Sequence, residues 1–352
     1  MFQQKYGSIF QREEDGRINA EQVYCSSTDY PRTALSAASF LEGLQMSAFN
    51  FTIYVQPREK DPALVQELVR KCNKFQSDVD EHTYHFSRFN QLPIDLAKKV
   101  SRITNCEQPD IDASLRAMKQ HDRDILNGAT FPGYAGGLQK PNPLQGKTRC
   151  SSLSMDATLF GDIVVTRQCH SLPLPCRTQN GLKSTCMDEE IALKAVEQAD
   201  RDYARRYSGE PNEFLIYPLL SQLSAQMQTH VDCVKDFSNC KRLWLLFAHD
   251  ITVYPLTSAL NITDYKWPSY AARVVFELFE SKGAPNKYIR VMYQGGDKTK
   301  KLSCSEQHRV ILANGSDSLA HLCPLREFFQ LLDNIIYDGE HFNLWQEGCS
   351  FD

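Results

Sequence analysis

The chain has 352 residues, 39 Lys and Arg against 43 Asp and Glu, and a net charge of -4. That length buries a sizeable core and corresponds to about two domains. The acidic balance and the lack of a basic patch exclude nucleic acid as a partner. Twelve cysteines are too few for a disulfide mini-scaffold and too many for a reducing cytosol. Sequons at Asn50, Asn261 and Asn314 point the same way, to a secretory compartment. No C-x-x-C pair with zinc spacing occurs, so no metal is expected. Residues Met1 to Gly7 carry no apolar signal region and no run is long enough to span a bilayer. The secretory signal is therefore expected upstream.

In chain order, residues 2 to 10 read as the end of a helix, 13 to 19 as a polar connection and Ala20 to Ser26 as a short strand. Ser27-Thr28-Asp29-Tyr30-Pro31-Arg32-Thr33 then predicts a helix start, with Thr28 or Asp29 as N-cap and Pro31 in the first turn. Ala34, Ala38 and Leu41, joined by Leu35 and Leu44, are its expected inner face. A helix N-terminus attracts oxyanions and Arg32 adds a full positive charge there; the plainer alternative is a well-capped helix with a surface arginine. Phe51 to Val55 reads as a second strand, closed by Gln56-Pro57, and Asp61-Pro62 as a helix cap.

From 61 to 213 the pattern is mostly helical, without a convincing strand, and forms a candidate second domain. Asn127 to Cys150 is a Gly/Pro-rich loop, and His121-Asp122-Arg123 reads as a solvated helical face. Cys169, Cys176 and Cys186 bracket a proline-rich turn and are expected to staple it. Met187 to Tyr207 and Glu213 to Gln228 read as helices, and by spacing Cys233 and Cys240 close a short loop.

The apolar run Leu243 to Phe247 predicts a strand buried on both faces, ending in His249-Asp250. Thr252 is the expected N-cap of a helix to Leu260, with Pro255 in its first turn. Ligands of open α/β sheets bind at such a carboxyl end of a strand, although a dyad there can also be a turn with a capping carboxylate. Ala271 to Glu280 and Tyr288 to Tyr293 flank a Gly/Pro turn and read as an antiparallel hairpin. Cys304 and Cys323 flank a polar loop, and Cys323-Pro324-Leu325 opens a final amphipathic helix.

Three segments together resemble the histidine acid phosphatase branch of the histidine phosphatase superfamily. They are Ser27-Thr28-Asp29 with Arg32-Thr33, Ala248-His249-Asp250 with Thr252, and Pro268 with Tyr270-Ala271 leading to Phe276-Glu277-Leu278. More narrowly, Tyr270 to Leu278, Cys169-His170 with Pro175-Cys176 ahead of Cys186, and Cys323-Pro324-Leu325 resemble the group of 2-phosphoxylose phosphatases. The resemblance implies an α/β fold, a three-layer mixed sheet with helices on both faces, built from 1–60 and 214–352, with a mostly helical cap inserted at 61–213. It implies phosphomonoester hydrolysis without a cofactor, on a phosphorylated sugar or glycan, in the subgroup the phosphoxylose of the proteoglycan linkage region in the Golgi lumen. It also implies disulfides between Cys72 and Cys349 and between Cys304 and Cys323.

In the mechanism of that family a histidine of an Arg-His-Gly-x-Arg motif attacks phosphorus and water later hydrolyses the phosphohistidine. By resemblance Arg32 clamps the phosphate, His249 is the second phosphate-binding histidine and Asp250 protonates the leaving oxygen. Arg-His-Gly occurs nowhere in the 352 residues. The motif, the first sheet strand and any membrane anchor are therefore expected upstream of Met1. Two functions follow: a lumenal phosphatase whose product begins upstream, or a non-catalytic lumenal glycoprotein that keeps half of the phosphate pocket and binds a glycan or protein partner.

Overall fold

A computed structural model describes residues 5–12, 14, 16–44, 51–64, 157–174, 176–179, 182–206, 210–233, 240–280, 287–295, 299–304, 310–311, 317–318 and 322–336. The chain divides into two compact units: Met1–Val79 with Tyr207–Asp264 and Pro268–Asp352, and Asp80–Arg206 with Tyr265–Trp267.

In the first unit, β1 (Val23–Thr28) leads through α1 (Pro31–Gly43) into β2 (Tyr54–Gln56). This βαβ unit lays β2 parallel to β1, and β5 (Leu243–Phe247) runs parallel along the other side, giving the order β2-β1-β5. Strand β1 is two residues longer at its end than its apolar residues announce. Ser26, Ser27 and Thr28 are buried, and the hydroxyl of Ser26 is satisfied by donating to the Tyr54 carbonyl at 3.2 Å. Thr28 is thus the last strand residue rather than a helix cap. The cap position of α1 falls to Tyr30, which makes no side-chain cap bond, with Pro31 at the first helical position.

The buried stripe of α1 is Thr33, Ala37 and Leu41, one step off the face expected from Ala34 and Ala38. Leu35, placed by the sequence on that face, is 67% exposed. Ala37, Leu41 and Leu44 pack with Phe10, Ile18, Val23 and Cys25 into a small core, against which Leu243, Leu245 and Phe247 of β5 lie. Leu246, pointing to the opposite face, packs against the larger core. Each residue of β5 is only half-buried, short of the full burial expected, because β1 is its sole ladder partner among the described residues.

The larger core joins Ile216 and Leu220 of α4 (Glu210–Cys233), Leu256 of α5 (Asp250–Ala259) with Leu260 at its C-cap, and Phe328 and Leu332 of α6 (Leu325–Ile336) to a second sheet. That sheet is antiparallel: β6 (Arg273–Glu280) pairs with β7 (Lys287–Gln294) from Arg273↔Gln294 to Glu280↔Lys287, and β7 also takes β8 (Lys300–Lys301) and β11 (Cys323–Pro324). A two-residue ladder of β9 (Val310–Ile311) and β10 (Asp317–Ser318) completes the strands described in this unit. Parallel and antiparallel strands are both present with helices, so the class is α/β as expected.

In the second unit α2 (Ala157–Cys169) packs on α3 (Glu189–Arg206) at close range: a Cβ added to Gly161 would meet the Ala199 Cβ at 2.6 Å. Between them stands a hairpin, β3 (Cys176–Gln179) with β4 (Leu182–Cys186), where no strand was expected. The Asn180-Gly181 pair between its strands is the sequence signal for such a turn.

Cys304 and Cys323 are disulfide-bonded to each other; Cys186 and Cys240 are each in a disulfide whose partner lies outside the described side chains. Cys169, expected to join the staple, is free and exposed; Cys25 is free and buried. Burial pushes the Cys25 thiol up to about 11, which makes it inert at neutral pH. Asn261 is exposed just beyond α5 in the left-handed region, φ 52°, a conformation asparagine tolerates well. Cys72, Cys349, Asn50, Asn314, the His121-Asp122-Arg123 stretch and the side chains of Cys176 and Cys233 lie outside the described residues.

Candidate active site

The register Ser27↔Phe247 and Thr28↔Gln56 brings the carboxyl ends of three adjacent parallel strands side by side. From β1 come Thr28, Tyr30 and Arg32, from β5 His249 and Asp250, and from β2, through a 3₁₀ turn at Arg58–Lys60, comes Arg58. Ligand sites of open α/β sheets lie at this edge.

His249 is held from two sides. Its Nε2 lies 3.0 Å from the Thr28 hydroxyl and its Nδ1 3.5 Å from Nη2 of Arg32. A guanidinium can only donate, so the contact with Arg32 is a hydrogen bond only where Nδ1 is unprotonated, with Nε2–H then toward Thr28. The ring of Tyr30 meets the imidazole edge-on, centroids 4.8 Å apart. Backbone geometry fixes the rest. His249 is the N-cap of α5 and Asp250 its first residue, so the helix begins earlier than Thr252, the expected cap. Thr252 instead stands in the first turn, where its hydroxyl accepts from the His249 N–H at 3.4 Å and donates to the Leu64 carbonyl at 3.1 Å. Pro255 accordingly falls inside the helix rather than in its first turn. Asp250 Oδ1 accepts from the Ile251 N–H at 2.8 Å.

Tyr30 is also the floor for two cations. The Arg32 guanidinium carbon lies 4.6 Å from its ring centroid and that of Arg58 3.8 Å. Arg58 Nε donates to the Asp29 carbonyl at 2.7 Å. Neither guanidinium has a carboxylate partner among the described residues. Two helix N-termini, those of α1 and α5, open at the same edge, and their partial positive charge adds to that of the arginines. The field is suited to a phosphate or similar oxyanion, with Asp250 the one carboxylate beside the histidine in sequence. Among the described residues no group of three His, Cys, Asp or Glu side chains is arranged to hold a metal ion.

Arg32, His249 and Asp250 were legible in the sequence, and the structure brings His249 against Arg32. Tyr30, Arg58 and the role of Thr28 were not. A basic residue directly after the predicted end of β2 was the one available signal for Arg58.

A family model described as histidine phosphatase superfamily (branch 2) matches residues 185–294. The chain is 30% identical over 195 residues to 2-phosphoxylose phosphatase 1 of Xenopus tropicalis, covering 53% of this chain and 36% of that protein. It is 25% identical over 215 residues to lysophosphatidic acid phosphatase type 6 of Bos taurus, covering 60% and 44%. The chain thus spans less than half the length of these relatives. In fold it is similar to the Hafnia alvei phytase in complex with tartrate, TM-score 0.52 at 13% identity over 96% of this chain and 84% of that one. It is likewise similar to the Klebsiella phytase, TM-score 0.50 at 16% identity over 95% and 81%.

Proposed function

Because this chain belongs to the histidine acid phosphatase family, branch 2 of the histidine phosphatase superfamily, we propose that its Arg32–His249–Asp250 edge is the phosphate-clamping and acid half of a phosphomonoesterase site. The observation that carries this reading is a histidine held between Thr28 and Arg32, at the carboxyl ends of parallel strands, beside guanidiniums without carboxylate partners. Arg32 and His249 neutralise the transferring phosphoryl group. As the phosphorus–oxygen bond breaks, Asp250 gives its proton to the departing alkoxide, a role worth about 10²–10⁴ in rate. In the family mechanism the phosphoryl group passes to a histidine nitrogen and then to water, which leaves inorganic phosphate and restores the acid.

The proposed substrate is a phosphorylated glycan: relatives named 2-phosphoxylose phosphatase 1 suggest a 2-phosphoxylose, and the resemblance in sequence suggests the one of the proteoglycan linkage region, met in the lumen of the secretory pathway. Residues 1–60 and 214–352 form the catalytic core in this reading and 61–213 its cap. The nucleophile motif Arg-His-Gly is not among these 352 residues. The alternative reading is a non-catalytic lumenal glycoprotein that keeps half of the phosphate pocket and binds a glycan or protein partner.

Calorimetry of the 352-residue chain with inorganic phosphate tests the site. Saturable binding lost in His249→Ala supports it; binding indifferent to that change removes His249 from the pocket. Assay against a phosphoxylosyl tetrasaccharide and an aryl phosphate separates the two readings. The chain by itself is expected to turn over neither, and turnover that vanishes in His249→Ala would overturn that expectation.

A further inference from the structure

Resting on the phosphate reading of the same edge, we infer that Arg58, carried on the Tyr30 ring, forms a second anion subsite, so that the preferred ligand is a phosphomonoester bearing an additional anionic group. Arg58 comes from the end of β2, the strand on the far side of β1 from His249. Its anchoring uses only Nε, which donates to the Asp29 carbonyl, and the flat face, which stacks on Tyr30. Both Nη groups are left without a protein partner among the described residues, and the side chain is half-exposed. A guanidinium fixed on one edge and one face and open on the other presents its paired N–H donors to a planar or tetrahedral anion.

Tyr30 links this subsite to the first. Its ring touches the His249 imidazole by its edge and carries Arg32 and Arg58 together. Like charges gathered on one aromatic ring are costly unless an anion sits between or beside them. Neither Asp29 nor Asp250 pairs with either arginine. One phosphate at His249 and Arg32 leaves Arg58 uncompensated; a carboxylate, sulfate or second phosphate on the same ligand compensates it.

The matched probes are glycerol 3-phosphate and 3-phosphoglycerate, which share a three-carbon frame and differ by a carboxylate, with inorganic phosphate as the reference. At low salt the 352-residue chain is expected to bind 3-phosphoglycerate about fivefold more tightly than glycerol 3-phosphate, the scale of one exposed charge pair. Arg58→Gln should erase that preference, lowering affinity for 3-phosphoglycerate more than for glycerol 3-phosphate, and Arg58→Lys should restore part of it. Equal binding of the two probes by the unaltered chain overturns the second subsite, as does a preference that survives Arg58→Gln. Failure of all three probes to bind, or phosphate binding untouched by His249→Ala, overturns the phosphate reading itself.

Discussion

Two clusters of charge stand in the same structural unit and are built to opposite ends. Around Glu277 on β6, every charge has an answer: Arg290 Nε lies 2.5 Å from one carboxylate oxygen, Lys5 Nζ 2.8 Å from the other, and the Tyr6 hydroxyl donates to the latter as well. Burial alone would raise the Glu277 carboxyl, but these donors outweigh it and hold the group below the usual glutamate range. The same network keeps Lys5 above its ordinary value against the pull of burial, and burial together with Glu277 pushes the Tyr6 phenol up. Around His249 two guanidiniums stack on one ring with no acid between them. Cations closed onto a carboxylate hold the β6–β7 hairpin to the start of the chain; cations left open are available to a ligand. Residue type does not distinguish the two, and pairing does.

The largest test breaks the closed cluster. Glu277→Ala leaves Arg290 half-buried without its acid and should cost about 3–5 kcal/mol of stability in urea denaturation, with phosphate affinity per folded molecule unchanged. Acid should do the same gradually. A carboxyl held low in the folded state contributes stability that is present above its unfolded pKa and is lost as pH falls through the folded one. The unaltered chain should therefore weaken as pH drops below the ordinary glutamate range, and Glu277→Gln should weaken less steeply over that window.

The open cluster should respond in reverse. Arg32→Ala removes a charged donor from a phosphate and is expected to lower phosphate affinity about tenfold or more, with stability moved by less than about 0.5 kcal/mol. Tyr30→Leu, the smallest change, removes the shared floor of both arginines and should cost about 0.5–1 kcal/mol of stability. A much larger loss there would mean that the stack is structural, like the Glu277 cluster, and would erase the contrast.

The parts of the fold legible in the sequence are those whose apolar pattern is local. The β6–β7 hairpin, α3 and the strand-to-helix passage at His249 each announce themselves within a dozen residues. Where polarity and pairing compete, the sequence misleads. Ser27-Thr28 reads as the start of a helix, yet the ladder with β2 and β5 satisfies that backbone and buries it. The site was half legible for the same reason. Arg32 and His249-Asp250 sit beside strand or helix ends that a single stretch reveals. Arg58 reaches Tyr30 only because β2 is the neighbour of β1, and strand order is not written in any local window.

The bond between Thr28 and His249 crosses from one strand end to the next. Successive strand side chains face opposite ways, so sliding β1 by one residue along β5 turns Thr28 away and offers the histidine a different partner. Misaligned molecules would keep their helices, their disulfides and most of their compactness while losing the oxyanion. They would be silent in a titration instead of weak. The fraction of molecules that bind phosphate, read from the stoichiometry of a calorimetric curve, therefore measures how faithfully the two strands have found each other.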